Sequence, residues 1–290
     1  MSKLTTATTA DLPAIRSLFA RASDISPDLA AVAEEKCFSP GFRGSSRVRC
    51  LFDRNELQGV AVTCGRHLRI VVVDPGQRRK GIGTMLIGDA EEQVRSSRSP
   101  YLEVASEAGN YFTPGIPFEN HETIAFFEAR GFSKKDEALN LRVPLRNNPL
   151  IPASRDLDQR IERGSSATRS GILQFIGTHF GPIWQFEAGK AFESDPPTIF
   201  IAKLEGVIAG FTVHDVNNRG LGSFGPEGVD PSVRGQGLGR SLLLASLADL
   251  RDRGFLESTI PWASSVDFYT KSCGAVVSGR FVILAKRLEM

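Results

Sequence analysis

Cysteine and histidine are scarce in this chain. Cys37, Cys50, Cys64 and Cys273 are the only cysteines, and no two stand in a Cys-x-x-Cys pair. This argues for free, buried thiols in a reducing compartment and against a disulfide framework or a zinc site. His67, His121, His179 and His214 show no metal-ligand spacing either, so no metal is expected. No apolar run approaches the ~20 residues of a membrane span. The first ten residues lack the apolar core of a secretory signal, which leaves a cytoplasmic protein as the expectation. Charge is balanced, with 35 Lys and Arg against 33 Asp and Glu. Either side of Pro149 the balance is 20 to 18 and 15 to 15, so neither half is a basic nucleic-acid domain.

What is present suits a soluble globular protein, 41% hydrophobic and 23% charged, and 290 residues suffice for two domains. One stretch occurs twice. Residues 229–239 read Val-Asp-Pro-Ser-Val-Arg-Gly-Gln-Gly-Leu-Gly, and residues 73–83 read Val-Asp-Pro-Gly-Gln-Arg-Arg-Lys-Gly-Ile-Gly. The aligned arginines, Arg78 and Arg234, lie 156 residues apart.

The elements around the two copies follow one order. In the first half, a helix after Asp11 carries Ile15, Leu18, Phe19 and Ala22 at helical spacing. Residues 47–52 and 59–64 alternate as a hairpin, and 67–73 form a strand stopped by Asp74-Pro75. A helix then runs to about Arg95, followed by a strand at 101–106 and an aromatic loop at 110–117. A short helix at 121–130 is closed by Gly131, and two strands at 133–136 and 138–145 end the half. In the second half, 168–180 and 183–192 read as helices and 198–203 with 207–215 as a hairpin. A strand at 222–229 precedes the loop, a helix at 238–253 follows it, and then come a strand at 255–260, a short helix at 266–273 and closing strands over 276–288. Residues 146–153, with Pro149 and Pro152, form the best linker. The division is therefore 1–148 and 149–290.

A strand ended by proline, then glycines, then a helix N-terminus gathers backbone N–H groups around one point, and the helix dipole adds positive charge there. Such a cradle suits a diphosphate, and glycine lets the backbone approach its oxygens. Neither copy has the G-x-G-x-x-G of a dinucleotide site or the Gly-Lys-Ser/Thr of an NTPase loop. A glycine turn that only packs a helix would explain one copy. Two copies in matching context point to binding.

The pattern Arg-x-x-Gly-x-Gly after Val-Asp-Pro resembles the acyl-CoA pyrophosphate loop of the GCN5-related N-acetyltransferase (GNAT) family, and the flanking elements extend the resemblance over nearly the whole chain. It implies an α/β (α+β) fold of two consecutive GNAT-like domains, each a mixed, mostly antiparallel sheet with flanking helices and a splayed central strand pair. It further implies acetyl-CoA as co-substrate and the amine of a small molecule as acceptor. The acyl-CoA would lie on Val229, Arg234, Gly235, Gln236, Gly237, Leu238, Gly239 and Arg240, and in the first half on Val73, Arg78, Arg79, Lys80, Gly81, Ile82, Gly83 and Thr84. Transfer in the family is direct. A base takes the amine proton and a tyrosine in the short helix protonates the leaving thiolate.

In the first half that tyrosine position is Phe127, although Asn120 and Gly131 fit the pattern. The second half supplies Tyr269, with its glycine five residues on instead of four and Trp262 in place of the asparagine. Tyr269 and Glu227 are accordingly the expected catalytic pair, and the first half is expected to be degenerate. Other candidate bases are His214, Asp215 and Glu257, each also an ordinary strand-end residue. Trp262 fits an acceptor pocket or a core. Glu103, Glu107, Tyr111 and His121 would line a site in the first half, and an active first half would use Glu103 or His121 as its base. Cys273 occupies a packing position beside the helix cap. The rival reading is a non-catalytic acyl-CoA-binding protein. The oligomeric state is left open between monomer and homodimer.

Overall fold

The structure is a computed structural model that describes residues 3–151 and 160–289. Of the expected linker, Pro152 and Ala153 lie outside the described residues. The elements begin with β1 (Lys3–Thr6), α1 (Leu12–Arg21), α2 (Ala33–Phe38), β2 (Arg47–Asp53), β3 (Glu56–Cys64) and β4 (His67–Val73). Next come α3 (Ile82–Ser96), β5 (Tyr101–Val104), β6 (Ile116–Pro117), α4 (His121–Glu128) and β7 (Ser133–Pro144). The second series is β8 (Ile161–Arg163), α5 (Arg169–Phe180), α6 (Pro182–Gly189), β9 (Ile199–Leu204), β10 (Val207–His214) and β11 (Phe224–Val229). It closes with α7 (Leu238–Asp252), β12 (Glu257–Ile260), α8 (Val266–Cys273) and β13 (Val276–Arg287).

Two compact units result, but their boundaries are not at residue 148. One unit comprises the chain up to Ala138 together with everything from Arg280 onward; the other is Leu139–Gly279. Strand pairing is the reason. Residues Leu141 to Pro144 of β7 pair with β12, while Ala285 to Arg287 of β13 pair with β5. Each unit is completed by a strand from the far end of the other half. The runs at 133–136 and 138–145, expected as two strands, are the single strand β7.

In the first unit β1 to β4 are antiparallel neighbours. β4 and β5 are parallel, and they pair only at His67 with Glu103 and Leu68 with Val104. Beyond Leu68 the two strands separate. β3 is buried on both faces, as a central strand should be. Val60 and Val62 meet Ile15, Leu18 and Phe19 of α1, whereas Ala61 meets Leu86, Ile87 and Ala90 of α3.

The second unit repeats this plan. β8, β9, β10 and β11 form an antiparallel sheet, and the chain just before β11 meets β12 through an isolated parallel bridge between Ser223 and Thr259. Pro226, inside β11, has no N–H to offer a neighbour. Ile172 and Ile176 of α5 pack on one side against Ile199, Ile201, Phe211 and Val213. On the other side Leu242 and Ala245 of α7 meet Phe200, Ala202 and Ala209.

α7 also buries charge. Asp249, 1% exposed, accepts from Arg163 at 2.6 and 3.1 Å, from Arg253 at 2.8 Å and meets His214 Nε2 at 2.8 Å. Ser246 lies 3.2 Å from the other nitrogen of His214. Burial opposes ionisation of Asp249, but the hydrogen bonds from His214, Arg163 and Arg253 prevail and hold its carboxyl well below the usual range. Burial lowers the His214 pKa despite Asp249, so the folded imidazole stays neutral. An unfolded imidazole takes a proton below about pH 6.5, and an unfolded aspartate below about pH 4. Both groups therefore bind protons more readily in the unfolded chain, and stability should fall as the pH drops below about 6.5. Asp249→Ala, which strands buried cations, should cost about 3–5 kcal/mol in chemical denaturation at neutral pH. A cost under ~1 kcal/mol would contradict the network's structural role.

Candidate active site

Strand register shows the two loops to be equivalent. Val73 pairs with Gly59 on β3 and Val71 with Ala61; Val229 pairs with Gly210 on β10 and Glu227 with Thr212. A Cβ on Gly59 would lie 2.9 Å from Ile82, and one on Gly210 would lie 3.0 Å from Leu242. Each glycine thus lets the helix after its loop lie close on the sheet.

The loop backbones match residue for residue. Asp74 and Asp230 take φ/ψ of −49/127 and −46/123, and each side chain accepts a hydrogen bond from the N–H two residues on, at 2.9 Å in both. Arg78 and Arg234 are extended and donate back to Val73 O at 3.3 Å and Val229 O at 3.1 Å. Gly81 and Gly237 are left-handed, at φ 86° and 81°, and cap α3 and α7. A Cβ on Gly81, Gly235 or Gly237 would meet nothing within 4 Å, so the N-termini of both helices face open space. Gly235 has φ 83°, while its counterpart Arg79 holds φ 64°, a conformation that costs a non-glycine residue about 1–2 kcal/mol.

Behind the second loop the arrangement is chemical. A Cβ on Gly239 would stand 3.3 Å from Glu227 Oε1, 3.6 Å from Phe268 and 3.7 Å from Val229. Glu227 is therefore aimed at the first turn of α7. Both of its carboxylate oxygens are buried and have no hydrogen-bond partner among the described residues. Burial pushes its pKa well above the usual carboxyl range. Tyr269 on α8 packs edge-on against Phe224 and Phe268, with centroids 6.1 and 5.0 Å away. Burial, then the charges of Glu227 and Cys273, raise the phenol pKa and keep it protonated. Burial raises the Cys273 thiol to about 11, with Glu227 adding to the effect; that thiol is no nucleophile. Glu227, Tyr269 and Cys273 thus share one electrostatic neighbourhood.

The first unit has neither group. Val71 stands at the register position of Glu227, and Phe127, 1% exposed, packs at 5.1 Å on Phe132 where Tyr269 would be. The 156-residue offset between the loops makes the exchange of Glu227 for Val71 legible in the sequence alone. The extra residue between Tyr269 and its glycine is taken up at the helix cap: Phe132 N–H bonds Phe127 O, whereas Ala275 N–H reaches Tyr269 O.

The other candidates serve the fold. His214 is held in the Asp249 network. Asp215 accepts from Gly220 and Gly222 N–H and shapes the turn before β11. Glu257 forms an exposed pair with Arg142. Trp262 is half-buried at φ 51°, its N–H donated to Asn140. In the first unit Glu107 is locked to fully buried Arg69 by two bonds of 2.6 and 2.9 Å, and Glu103 is paired with Arg66 and Lys135. Tyr111 is buried, His121 starts α4 against Phe118, and Asn120 caps that helix through Thr123 N–H. All four cysteines are free and buried. Among the described residues no group of side chains could hold a metal ion, and no helix is long and apolar enough to cross a membrane.

A family model described as "Acetyltransferase (GNAT) family" matches residues 171–275, which contain the second loop, Glu227 and Tyr269. Residues 171–275 therefore carry a GNAT-family domain. Mycothiol acetyltransferase of Thermomonospora curvata is 30% identical over 197 residues, 63% of this chain and 61% of that protein, so the match spans under two thirds of that relative. Mycothiol acetyltransferase of Nocardia farcinica is 28% identical over 291 residues, covering 89% of this chain and 88% of the relative. Among solved structures, a tandem GNAT protein from the clavulanic acid biosynthesis pathway superposes with a TM-score of 0.71. It covers 100% of this chain and 99% of its own at 16% identity, a likeness of fold alone. Its two-domain fold is matched by both units of this chain.

Proposed function

We propose that this chain is an acetyl-CoA-dependent N-acetyltransferase that acetylates the amine of a small molecule, with the chemistry in the second unit. The observation that carries the reading is the buried, unpaired carboxylate of Glu227 beside the loop-capped N-terminus of α7, near Tyr269. An unpaired buried carboxylate is costly to keep, and a general base is a function that repays it. The open cradle at Gly235 and Gly237 fits a diphosphate, and the exposed Arg234, Gln236 and Arg240 complete its rim, while the Leu238 side chain is buried in the core with Leu242. Acetyl-CoA supplies the activated acyl group when bound there. Glu227 removes a proton from the attacking amine, and the protonated Tyr269 hydroxyl delivers one to the departing thiolate. The net exchange is one amide formed and one thioester broken.

The first unit, with Val71 and Phe127 in place of base and acid and with Glu107 committed to Arg69, is a non-catalytic partner in this reading. The relatives' shared name makes the acceptor of mycothiol acetyltransferases the first amine to try. The test follows CoA thiol release with acetyl-CoA and a panel of small amines. Release that requires both substrates is expected; no release with any amine would leave only acyl-CoA binding.

A further inference from the structure

The two loops share a backbone but differ in what grips them. In the first unit, the end of α1 and the turn after it hold two of the loop's four charged residues, Asp74 and Arg78. Arg21, the last residue of α1, donates to Asp74 Oδ2 at 2.7 Å. Asp24 takes Arg78 in a two-bond pair of 2.6 and 3.0 Å. That hydrogen-bonded pair lowers the Asp24 pKa and raises that of Arg78. In the second unit the same stretch runs His179-Phe180-Gly181-Pro182, with no acid where Asp24 would be. His179 stands 3.8 Å from Asp230 Oδ2, beyond hydrogen-bond range. Among the described residues the Arg234 side chain bonds only to Val229 O, so its guanidinium is not paired with a carboxylate as that of Arg78 is.

We infer that Arg21 and Asp24 form a clasp that keeps acyl-CoA off the first loop, so that the chain loads one acyl-CoA, in the second unit. This rests on the reading of residues 234–239 as the acyl-CoA loop. The physical reason is charge. A diphosphate approaching the first loop meets an arginine already neutralised and a carboxylate that repels it. The second loop offers the same N–H groups with its arginine uncommitted. The pair is partly exposed, with Arg78 38% and Asp24 55% accessible, so a single substitution can undo it without disturbing the core.

The experiment is calorimetric titration of the full chain with CoA. Wild type should bind one CoA, and Arg234→Ala should weaken that site at least tenfold. Asp24→Asn should add a second site, at least tenfold tighter than any residual first-unit binding in wild type. Asp24→Asn combined with Arg78→Ala should lose that second site again. Matching thermal melts would show each variant folded. Two equal sites in wild type, or a single site retained in folded Asp24→Asn, would overturn the clasp while leaving the acyl-CoA reading intact. No binding in wild type, or a site indifferent to Arg234→Ala, would overturn the reading on which it rests.

Discussion

Glu227→Gln should lower kcat by about 10²–10⁴-fold, the usual share of a general base, and raise the melting temperature at the same time. The two effects have one cause. Both oxygens of Glu227 are buried without a hydrogen-bond partner among the described residues, so its ionised form is costly in the fold and reactive toward an amine proton. Glutamine keeps the shape and removes the charge, relieving a cost on the order of 1 kcal/mol, part of which the buried amide retains. The pH dependence has a definite sign. Because desolvation raises the folded pKa, the stability that the protonated form enjoys is complete at low pH and is lost as the pH rises through the folded pKa. The melting-temperature gap between variant and wild type should therefore widen with pH. Activity runs the other way: kcat/KM should climb over that interval as the base ionises, and the limb should vanish in Glu227→Gln. Unchanged turnover, or a retained limb, would remove Glu227 from the mechanism.

Tyr269→Phe should lower kcat by about 10²-fold or more while leaving the KM for acetyl-CoA within a few-fold. Phenylalanine preserves the ring contacts to Phe224 and Phe268. The first unit demonstrates the fit, since Phe127 fills the same position in a packed core. Stability should change by less than ~1 kcal/mol. A fall in kcat with an intact fold identifies the hydroxyl as the acid; equal loss in both would mark Tyr269 as a core residue. The raised phenol pKa ensures that the proton is present throughout the neutral range.

The sequence carried local structure further than it carried partnership. Proline stops, glycine caps and hydrophobic periods located α1, α3, α5, α7 and the strands before each loop, because those signals are short-range. α2, β1, β6 and β8 leave no such signal: Lys3–Thr6, Ile116–Pro117 and Ile161–Arg163 are too short to show an alternation, and Ala33–Phe38 is less than two turns of helix. The exchange of end strands was illegible for another reason. β7 and β13 both alternate well, and alternation says which face is buried but not which neighbour is chosen. Among site residues, Tyr269 follows from the family's short-helix pattern and Glu227 from its place two residues before Val229 at the end of the strand. The commitment of Glu107 to Arg69, of His214 to Asp249 and of Arg78 to Asp24 joins residues 38, 35 and 54 positions apart, and no local pattern announces such pairs.

The central claim is that the second loop, not the first, serves the reaction, and one matched pair of lesions tests it. Gly81 and Gly237 have nearly the same positive φ, and a side chain on either would project into open space at a helix N-terminus. Valine at each should cost a similar 1–3 kcal/mol of strain, so any difference in activity comes from what the loop binds. Steady-state CoA release should show kcat/KM for acetyl-CoA falling at least 30-fold more in Gly237→Val than in Gly81→Val. A larger loss in Gly81→Val, or equal losses, would contradict the account.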